Sequence, residues 1–220
     1  MFHVALTTNV AVADDHPIVL RAVTSYFDSL PGFRVAAAVS SGSALLDALR
    51  EQKVDLVVTD FAMQQGDDDK DGLRLISQLM RAYEHTPVVV FTMLTNAGLI
   101  NQLCKMGVAG VVGKEEEIGE LGQVCRKILN GATQSLSPGM AHRLALAGSL
   151  KPGMSDFQAL TPKELEVVRL FVTGATLTDI ARMLNRSLGT ISTQKRSAMR
   201  KLHVETNVDL IDCAREQGLL

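Results

Sequence analysis

The first 135 residues alternate between short runs of apolar, β-branched residues and longer segments whose apolar positions recur every three or four residues. The runs fall at Asn9–Ala13, Phe33–Val39, Leu56–Thr59, Val88–Phe91 and Gly110–Val112. Several are apolar throughout, as strands buried on both faces of a parallel sheet should be. Helices are predicted between them, over Pro17–Leu30, Ser43–Glu51, Gly72–Tyr83, Asn96–Met106 and Glu117–Asn130. Pro17 suits a first helical turn and Gly131 a helix end. This alternation predicts an α/β domain built on a five-stranded, parallel, doubly wound sheet.

After Gly131 the pattern changes. Ser137-Pro138 can start a short helix reaching Ala147, and Gly148, Pro152 and Gly153 mark a linker over residues 148–158. Beyond it only helical periodicity remains. Thr161-Pro162-Lys163-Glu164 carries an N-cap, a first-turn proline and a capping-box glutamate in the right order, followed by the apolar face of Leu165, Val168 and Phe171/Val172. Gly174 ends that helix. A second is marked by Leu177, Ile180, Ala181 and Leu184, a third runs Leu188–Leu202 after the turn Asn185-Arg186-Ser187, and a fourth runs Asn207–Gln217. The expected organisation is an α/β domain over 1–135, a linker with a short helix over 136–158, and an all-α four-helix domain over 159–220.

Composition adds boundaries. At 220 residues and 46% hydrophobic, the chain can bury two real cores. The three cysteines, Cys104, Cys125 and Cys213, form no CxxC pair, which fits a reducing, cytoplasmic setting without disulfides or zinc. No apolar run is long enough to span a bilayer, and Met1–Val12 does not read as a signal peptide, so no membrane association is expected. The net charge of −2 hides an asymmetry, because Ile180–Val204 contains Arg182, Arg186, Lys195, Arg196, Arg200 and Lys201 and no acid. A cationic surface facing a polyanion is one reading of that stretch, and an ordinary solvated helix face is the other.

In a doubly wound sheet the carboxyl ends of the strands converge on one crevice. Asp14 and Asp15 follow the first strand, Asp60 the third, Thr92 the fourth and Lys114 the fifth. Taken singly, paired aspartates before His16-Pro17 also serve as helix caps, and Asp60 could be a turn residue. Their joint placement points instead to phosphoryl transfer onto Asp60. Such a reaction needs a divalent cation. Asp15, Asp60, Asp14 through water and the backbone carbonyl of Ala62 would supply oxygen ligands for Mg²⁺. Lys114 and the metal would neutralise phosphoryl oxygens, and the Thr92 hydroxyl would donate to one of them.

At 100° per residue, Gly189, Ser192, Thr193, Arg196 and Arg200 share one face of the third C-terminal helix, while Ile191, Ala198 and Leu202 occupy the inward face. A helix-turn-helix would lay the first face in a major groove, with Arg196 reaching guanine or phosphate, Ser192 and Thr193 near base edges, and Arg200 alongside. Lys195 is expected to border this face and meet phosphate. An amphipathic helix with a solvated basic side fits the periodicity equally well.

Motifs decide between these readings. Ala13-Asp14-Asp15-His16-Pro17, Asp55–Asp60, Val90-Phe91-Thr92-Met93 and Gly110–Lys114 resemble the receiver domain of two-component response regulators over roughly residues 8–131. Leu160–Glu164, Asn185-Arg186-Ser187, Thr190–Lys195 and Ala198–Leu202 resemble the DNA-binding domain of the NarL/FixJ/LuxR class, and especially the B-type capsule-synthesis regulators of the Rcs phosphorelay. The resemblance implies a flavodoxin-like receiver that binds Mg²⁺ and accepts a phosphoryl group on Asp60 from a histidine kinase or histidine phosphotransfer protein. It also implies a transcription factor, and not an enzyme, that binds double-stranded DNA as a homodimer or as a heterodimer with an auxiliary regulator. Asn207–Gln217 would be the dimerisation helix, with Val204, Val208 and Ile211 as its apolar contacts.

Two departures support an alternative, a phosphorylation-independent DNA-binding regulator whose pseudo-receiver serves for dimerisation or auxiliary-partner binding. Gln64 stands where the family has proline, followed by an acidic Gly66–Asp71 turn, and Val111 replaces the aromatic residue three before the lysine. A phosphohydrolase using Asp60 as nucleophile is a third reading. It lacks the second carboxylate such enzymes place close after the nucleophile, where this chain has Ala62.

Overall fold

The computed structural model describes residues 7–63, 72–149, 160–202 and 204–219. Gln64, the acidic 66–71 turn and most of the expected linker lie outside these residues. By internal contacts the chain divides into two compact units, one comprising Met1–Thr92 and Leu103–Ala141, the other Met93–Gln102 and His142–Leu220.

The first unit is organised by a parallel sheet. Its strands are β1 (Thr8–Ala13), β2 (Phe33–Val39), β3 (Leu56–Thr59), β4 (Val88–Thr92), β5 (Gly110–Gly113) and β6 (Ser135–Leu136), in the order β2-β1-β3-β4-β5-β6. Every neighbouring pair is parallel. The sheet thus has six strands instead of the expected five. The two-residue β6 holds too little apolar sequence to register as a strand, and forms because Ser135 donates its backbone N–H to Ala109 O at 2.8 Å and Ser137 to Val111 O at 3.0 Å. The helices α1 (Pro17–Ser29), α2 (Gly42–Glu51), α3 (Gly72–Ala82), α4 (Ala97–Lys105) and α5 (Ile118–Leu129) follow successive strands, and α6 (Pro138–Ser149) follows β6.

Alternation along the strands separates two apolar faces. Val10, Val12, Leu56, Val58, Val89, Phe91 and Val112 form one cluster with Val23 and Phe27 of α1 and Leu121, Val124, Cys125 and Ile128 of α5. The intervening residues Ala11, Ala13, Val57, Val88, Val90 and Val111 are equally buried. Burial on both sides is why these strands read as apolar runs without a period, each buried branched side chain contributing about 1.5–3 kcal/mol.

The second unit contains α7 (Pro162–Val172), α8 (Leu177–Met183), α9 (Leu188–Lys201) and α10 (Asn207–Glu216). Thr161 closes the expected capping box. Its Oγ1 accepts from the Glu164 N–H at 3.3 Å, while Glu164 Oε2 accepts from the Thr161 N–H at 2.7 Å. Val167, Ile180, Ala181 and Ile191 form a small core to which Leu170, Phe171, Leu177 and Leu184 add. Helix α8 ends where Asn185 takes a left-handed conformation with φ 48°, a geometry asparagine tolerates better than most residues, and the Arg186 N–H returns to Ala181 O at 2.9 Å. This reversal aims α9 across the bundle.

At Gly110 α5 packs tightly against the sheet. A Cβ there would lie 2.8 Å from Val124 Cγ1, 2.9 Å from Ile128 Cδ1 and 3.2 Å from Ser135 O. Gly110→Ala is therefore expected to destabilise the protein by about 1–3 kcal/mol, as overpacking does in close-packed interiors. A urea titration would measure it, and a midpoint equal to the wild type would show that α5 and β6 yield without cost.

Candidate acidic pocket and nucleic-acid interface

The strand ends position the acidic pocket. Ala13 and Thr59 pair across β1 and β3, so the residues that follow them emerge side by side, and the Asp60 N–H donates to Ala13 O at 2.8 Å. On the other side the Lys114 N–H donates to Thr92 O at 2.9 Å, tying the end of β5 to the end of β4. The Lys114 ammonium then reaches inward, 2.7 Å from Asp14 Oδ2 and 2.6 Å from Asp60 Oδ2. Asp14 is 2% exposed and Asp60 4%, so this is a buried carboxylate–ammonium–carboxylate bridge.

Main-chain donors hold the remaining oxygens. Asp60 Oδ1 accepts from the Phe61 N–H at 2.6 Å, and Asp14 Oδ1 from the His16 N–H at 2.9 Å. Burial pushes the Asp60 carboxyl above its ordinary pKa against the opposing pull of Lys114, with the Asp14 charge adding to the rise. Asp14, Asp15, His16 and Asp60 each offer one ligand atom, and these atoms lie within 4.8 Å of one another. Three carboxylates form a hard-oxygen donor set, which suits Mg²⁺. The exposed His16 imidazole, with Nδ1 2.9 Å from Asp15 Oδ1, stands at the edge of the cluster.

All five expected strand-end residues are found at their strand ends. Asp14, Asp60 and Lys114 touch, Asp15 completes the acidic cluster, and Thr92 is fully buried beside them at the end of β4. Ala62 is buried in the turn after Asp60 and contributes a backbone N–H to its carboxylate. Val111 lies in the sheet core, where the resemblance would place an aromatic ring.

Glu116 joins the site through contacts that its position in the sequence does not announce. Its Oε1 accepts from Ser137 Oγ and, at 3.2 Å, from the Gly113 N–H, while Oε2 accepts from the Gly139 N–H at 2.8 Å. It thereby ties the loop after β5 to the first turn of α6. Within Glu115-Glu116-Glu117 no local signal marks the middle carboxylate as the one that reaches α6, because Ser137 and Gly139 lie more than twenty residues away.

In the helical unit the cationic stretch divides by partner. Arg186 pairs with Glu166 at 2.9 Å and Lys201 with Glu164 at 2.7 Å, both largely buried against α7. Arg182 lies 3.5 Å from Asp179 on the same helix. Thr193, Arg196 and Arg200 are exposed along α9 and Ser192 is half-buried, so these four do share an accessible face. Beside it runs a groove lined by Leu177, Met199, Val204 and Glu205 together with Ser192, Lys195, Arg196 and Arg200 of that face and its border. Lys195 lines this groove, but only 9% of it is exposed, and its ammonium lies 3.7 Å above the centre of the Phe171 ring and donates to Asn207 Oδ1. At the fourth helix, Val208 is 65% exposed, Val204 and Ile211 are half-buried, and Leu210 and Ala214 face inward.

This pairing of a parallel α/β domain carrying an acidic crevice with a helix-turn-helix defines a class, and comparison with known proteins gives it a family. The response regulator receiver domain model matches residues 10–126, and the model of bacterial regulatory proteins of the luxR family matches residues 158–214. The chain belongs to the two-component response regulators that act as transcription factors, and it is of the RcsB type. It is 33% identical over 204 residues to the transcriptional regulatory protein RcsB of Escherichia coli strain K12, covering 93% of this chain and 92% of that protein. A putative transcriptional regulator of Pseudomonas aeruginosa is 29% identical over 97% of this chain and all of its own length (100%). Among solved structures, RcsB from Salmonella enterica serovar Typhimurium, bound to promoter rprA with the phosphomimetic BeF3-, superposes with a TM-score of 0.77 at 31% identity, over 94% of this chain and 98% of that one. A structure of two RcsB dimers bound to two parallel DNAs gives 0.63 at 30% identity, over 96% and 98%. None of the described helices is long and apolar enough to cross a membrane.

The Glu164 network yields a pH prediction. Burial alone would raise its carboxyl, yet hydrogen bonds from Lys201, Thr161 and Ser197 hold it at about 2, below the ordinary 4.5. A carboxylate depressed by folding stabilises fully above its unfolded pKa and loses that contribution as pH falls toward the folded one. Stability is expected to drop by about 1–3 kcal/mol between pH 5 and pH 2 through this group. Glu164→Gln should lower stability at pH 7 and flatten that part of the profile. Parallel chemical-denaturation curves for variant and wild type at each pH would speak against the assignment.

Proposed function

We propose that Asp60 accepts a phosphoryl group from a histidine kinase or histidine phosphotransfer protein, and that the modified chain binds double-stranded DNA as a dimer, α9 entering the major groove. The observation that carries this reading is the buried Asp14–Lys114–Asp60 bridge at the ends of three parallel strands. The regulatory part is residues 1–135, joined through 136–158 to the DNA-binding part, 159–220.

In the reaction an Asp60 carboxylate oxygen attacks phosphorus, the phosphorus–nitrogen bond of a phosphohistidine donor breaks, and the imidazole leaves with the bonding pair. Asp14, Asp15, Asp60 and the Ala62 carbonyl would hold Mg²⁺, which supplies charge neutralisation on the transferring oxygens. Phosphorylation replaces one carboxylate charge by a group approaching two negative charges. Lys114 gains a stronger anionic partner, and the Thr92 hydroxyl is within the same end of the sheet to donate to it. Because the Lys114 main chain is bonded to Thr92, any adjustment of the lysine is transmitted to the end of β4.

DNA binding would rest on Arg196, Arg200, Ser192 and Thr193, with Val204, Val208 and Ile211 at the dimer contact. The relative's structures on promoter DNA and as DNA-bound dimers support this assignment by analogy of fold and sequence. A heterodimer with an auxiliary regulator would use the same α10 surface.

Incubation with acetyl phosphate and Mg²⁺ should add one phosphoryl group to the wild type, seen by intact-mass spectrometry, and none to Asp60→Asn. Equal labelling of the two, or none on either, favours the phosphorylation-independent reading. Arg196→Ala should weaken binding to a selected duplex by about 1–3 kcal/mol and reduce the steepness with which salt weakens it. Unchanged affinity and sequence preference in a fluorescence titration would remove α9 from the groove.

A further inference from the structure

We infer that Lys195 is a positioning residue, a buried polar tie that sets the start of α10 relative to the DNA-reading helix α9 and thereby fixes the distance between the two half-sites a dimer can read. The inference rests on the proposed DNA-bound dimer, and assigns the distance setting to one side-chain pair.

The helices of this unit do not pack evenly. The principal contacts join α7 to α9, α8 to α9, α7 to α10 and α7 to α8, so α10 is supported mainly through α7. Lys195 reaches directly from α9 to α10. Its ammonium lies over the ring face of Phe171 of α7, which attracts it, and donates to Asn207 Oδ1, on the first residue of α10. One side chain therefore touches all three helices.

Both ends of this tie lie in regular helix. Arg196, adjacent on α9, is exposed on the proposed groove face, so Lys195 and a DNA-contacting residue share one turn of backbone. At the far end Thr206 caps α10, with Oγ1 accepting from the Asp209 N–H at 3.1 Å and Asp209 Oδ2 accepting from the Thr206 N–H at 3.0 Å. The next residue after Asn207 is Val208, the exposed apolar side chain of the proposed dimer contact.

Burying an ammonium is unfavourable unless its partners are well placed, and a methionine would fill the same space without that cost. Apolar packing, however, is non-directional, whereas a hydrogen bond to one acceptor specifies the orientation of α10. Lys195 also lines the groove beside Arg196, but its ammonium is engaged by Phe171 and Asn207, and the one-site and two-site affinities separate the tie from a phosphate contact.

The test uses the full-length chain, phosphorylated with acetyl phosphate, on duplexes recovered from a random-sequence pool by the wild type. Affinity is measured for the recovered two-site duplex, for a duplex cut to one half-site, and for two-site duplexes with one or two base pairs inserted between halves. Lys195→Met and Asn207→Ala are each expected to lower the advantage of two sites over one by about tenfold, to flatten the dependence on spacing, and to add no further loss when combined. Asn207 is exposed, so its truncation leaves the fold intact, and Asn207→Asp, which keeps the acceptor, should retain the wild-type advantage. One-site affinity should stay within about twofold of wild type.

Variants that weaken one-site and two-site binding equally would make Lys195 a DNA contact or a general packing residue, and would overturn the inference. So would an unchanged spacing profile in Asn207→Ala. A wild type that gains nothing from a second half-site would instead overturn the dimer reading itself, and this inference with it.

Discussion

A single ammonium between two buried carboxylates organises the regulatory half of this molecule. Lys114 lies within 2.7 Å of Asp14 and 2.6 Å of Asp60, and all three are nearly removed from water. Two carboxylates this close to each other in a poorly solvated crevice would repel, and one would protonate. The lysine offsets that repulsion and opposes the rise that burial imposes on the Asp60 carboxyl. The arrangement is poised, because a buried charge network is stable only while every member is satisfied. Adding charge at Asp60 forces the others to redistribute, and Lys114 is bonded through its main chain to β4. Sheet, pocket and response are thus consequences of where three parallel strands end.

The DNA-binding half shows the opposite use of charge. Six basic residues between Ile180 and Val204 look like one electrostatic surface, but three of them build the fold. Arg186 and Lys201 bind α9 and its turn to glutamates of α7, and Lys195 turns inward toward Phe171 and Asn207. Arg196 and Arg200 are left to the accessible face. A helix that must be both anchored and exposed spends its cations on both tasks, and Glu164, which serves the α7 capping box and the Lys201 pair at once, joins them.

The elements themselves were legible in the chain. The capping box at Thr161–Glu164, the apolar runs at β3 and β4, and the turn at Asn185 each follow from local chemistry, and the observed bounds differ from the expected ones by a residue or two. The receiver residues were legible for a further reason. In a parallel sheet every strand delivers its last residue to the same end, so Asp14, Asp60, Thr92 and Lys114 could be grouped from their positions after predicted strands alone.

What the chain by itself determined, then, was whatever depends on nearest neighbours in sequence or on a repeating period: the strands, the helices, their caps and the face of α9. Tertiary structure decided what depends on partners far along the chain. The sixth strand exists because β5 offers free backbone groups to Ser135 and Ser137, the role of Glu116 exists because α6 begins beside it, and the burial of Lys195 exists because Phe171 and Asn207 come from two other helices. A side chain's charge is written in the sequence. Whether that charge meets water, a carboxylate or an aromatic ring is set by the surfaces that folding brings against it.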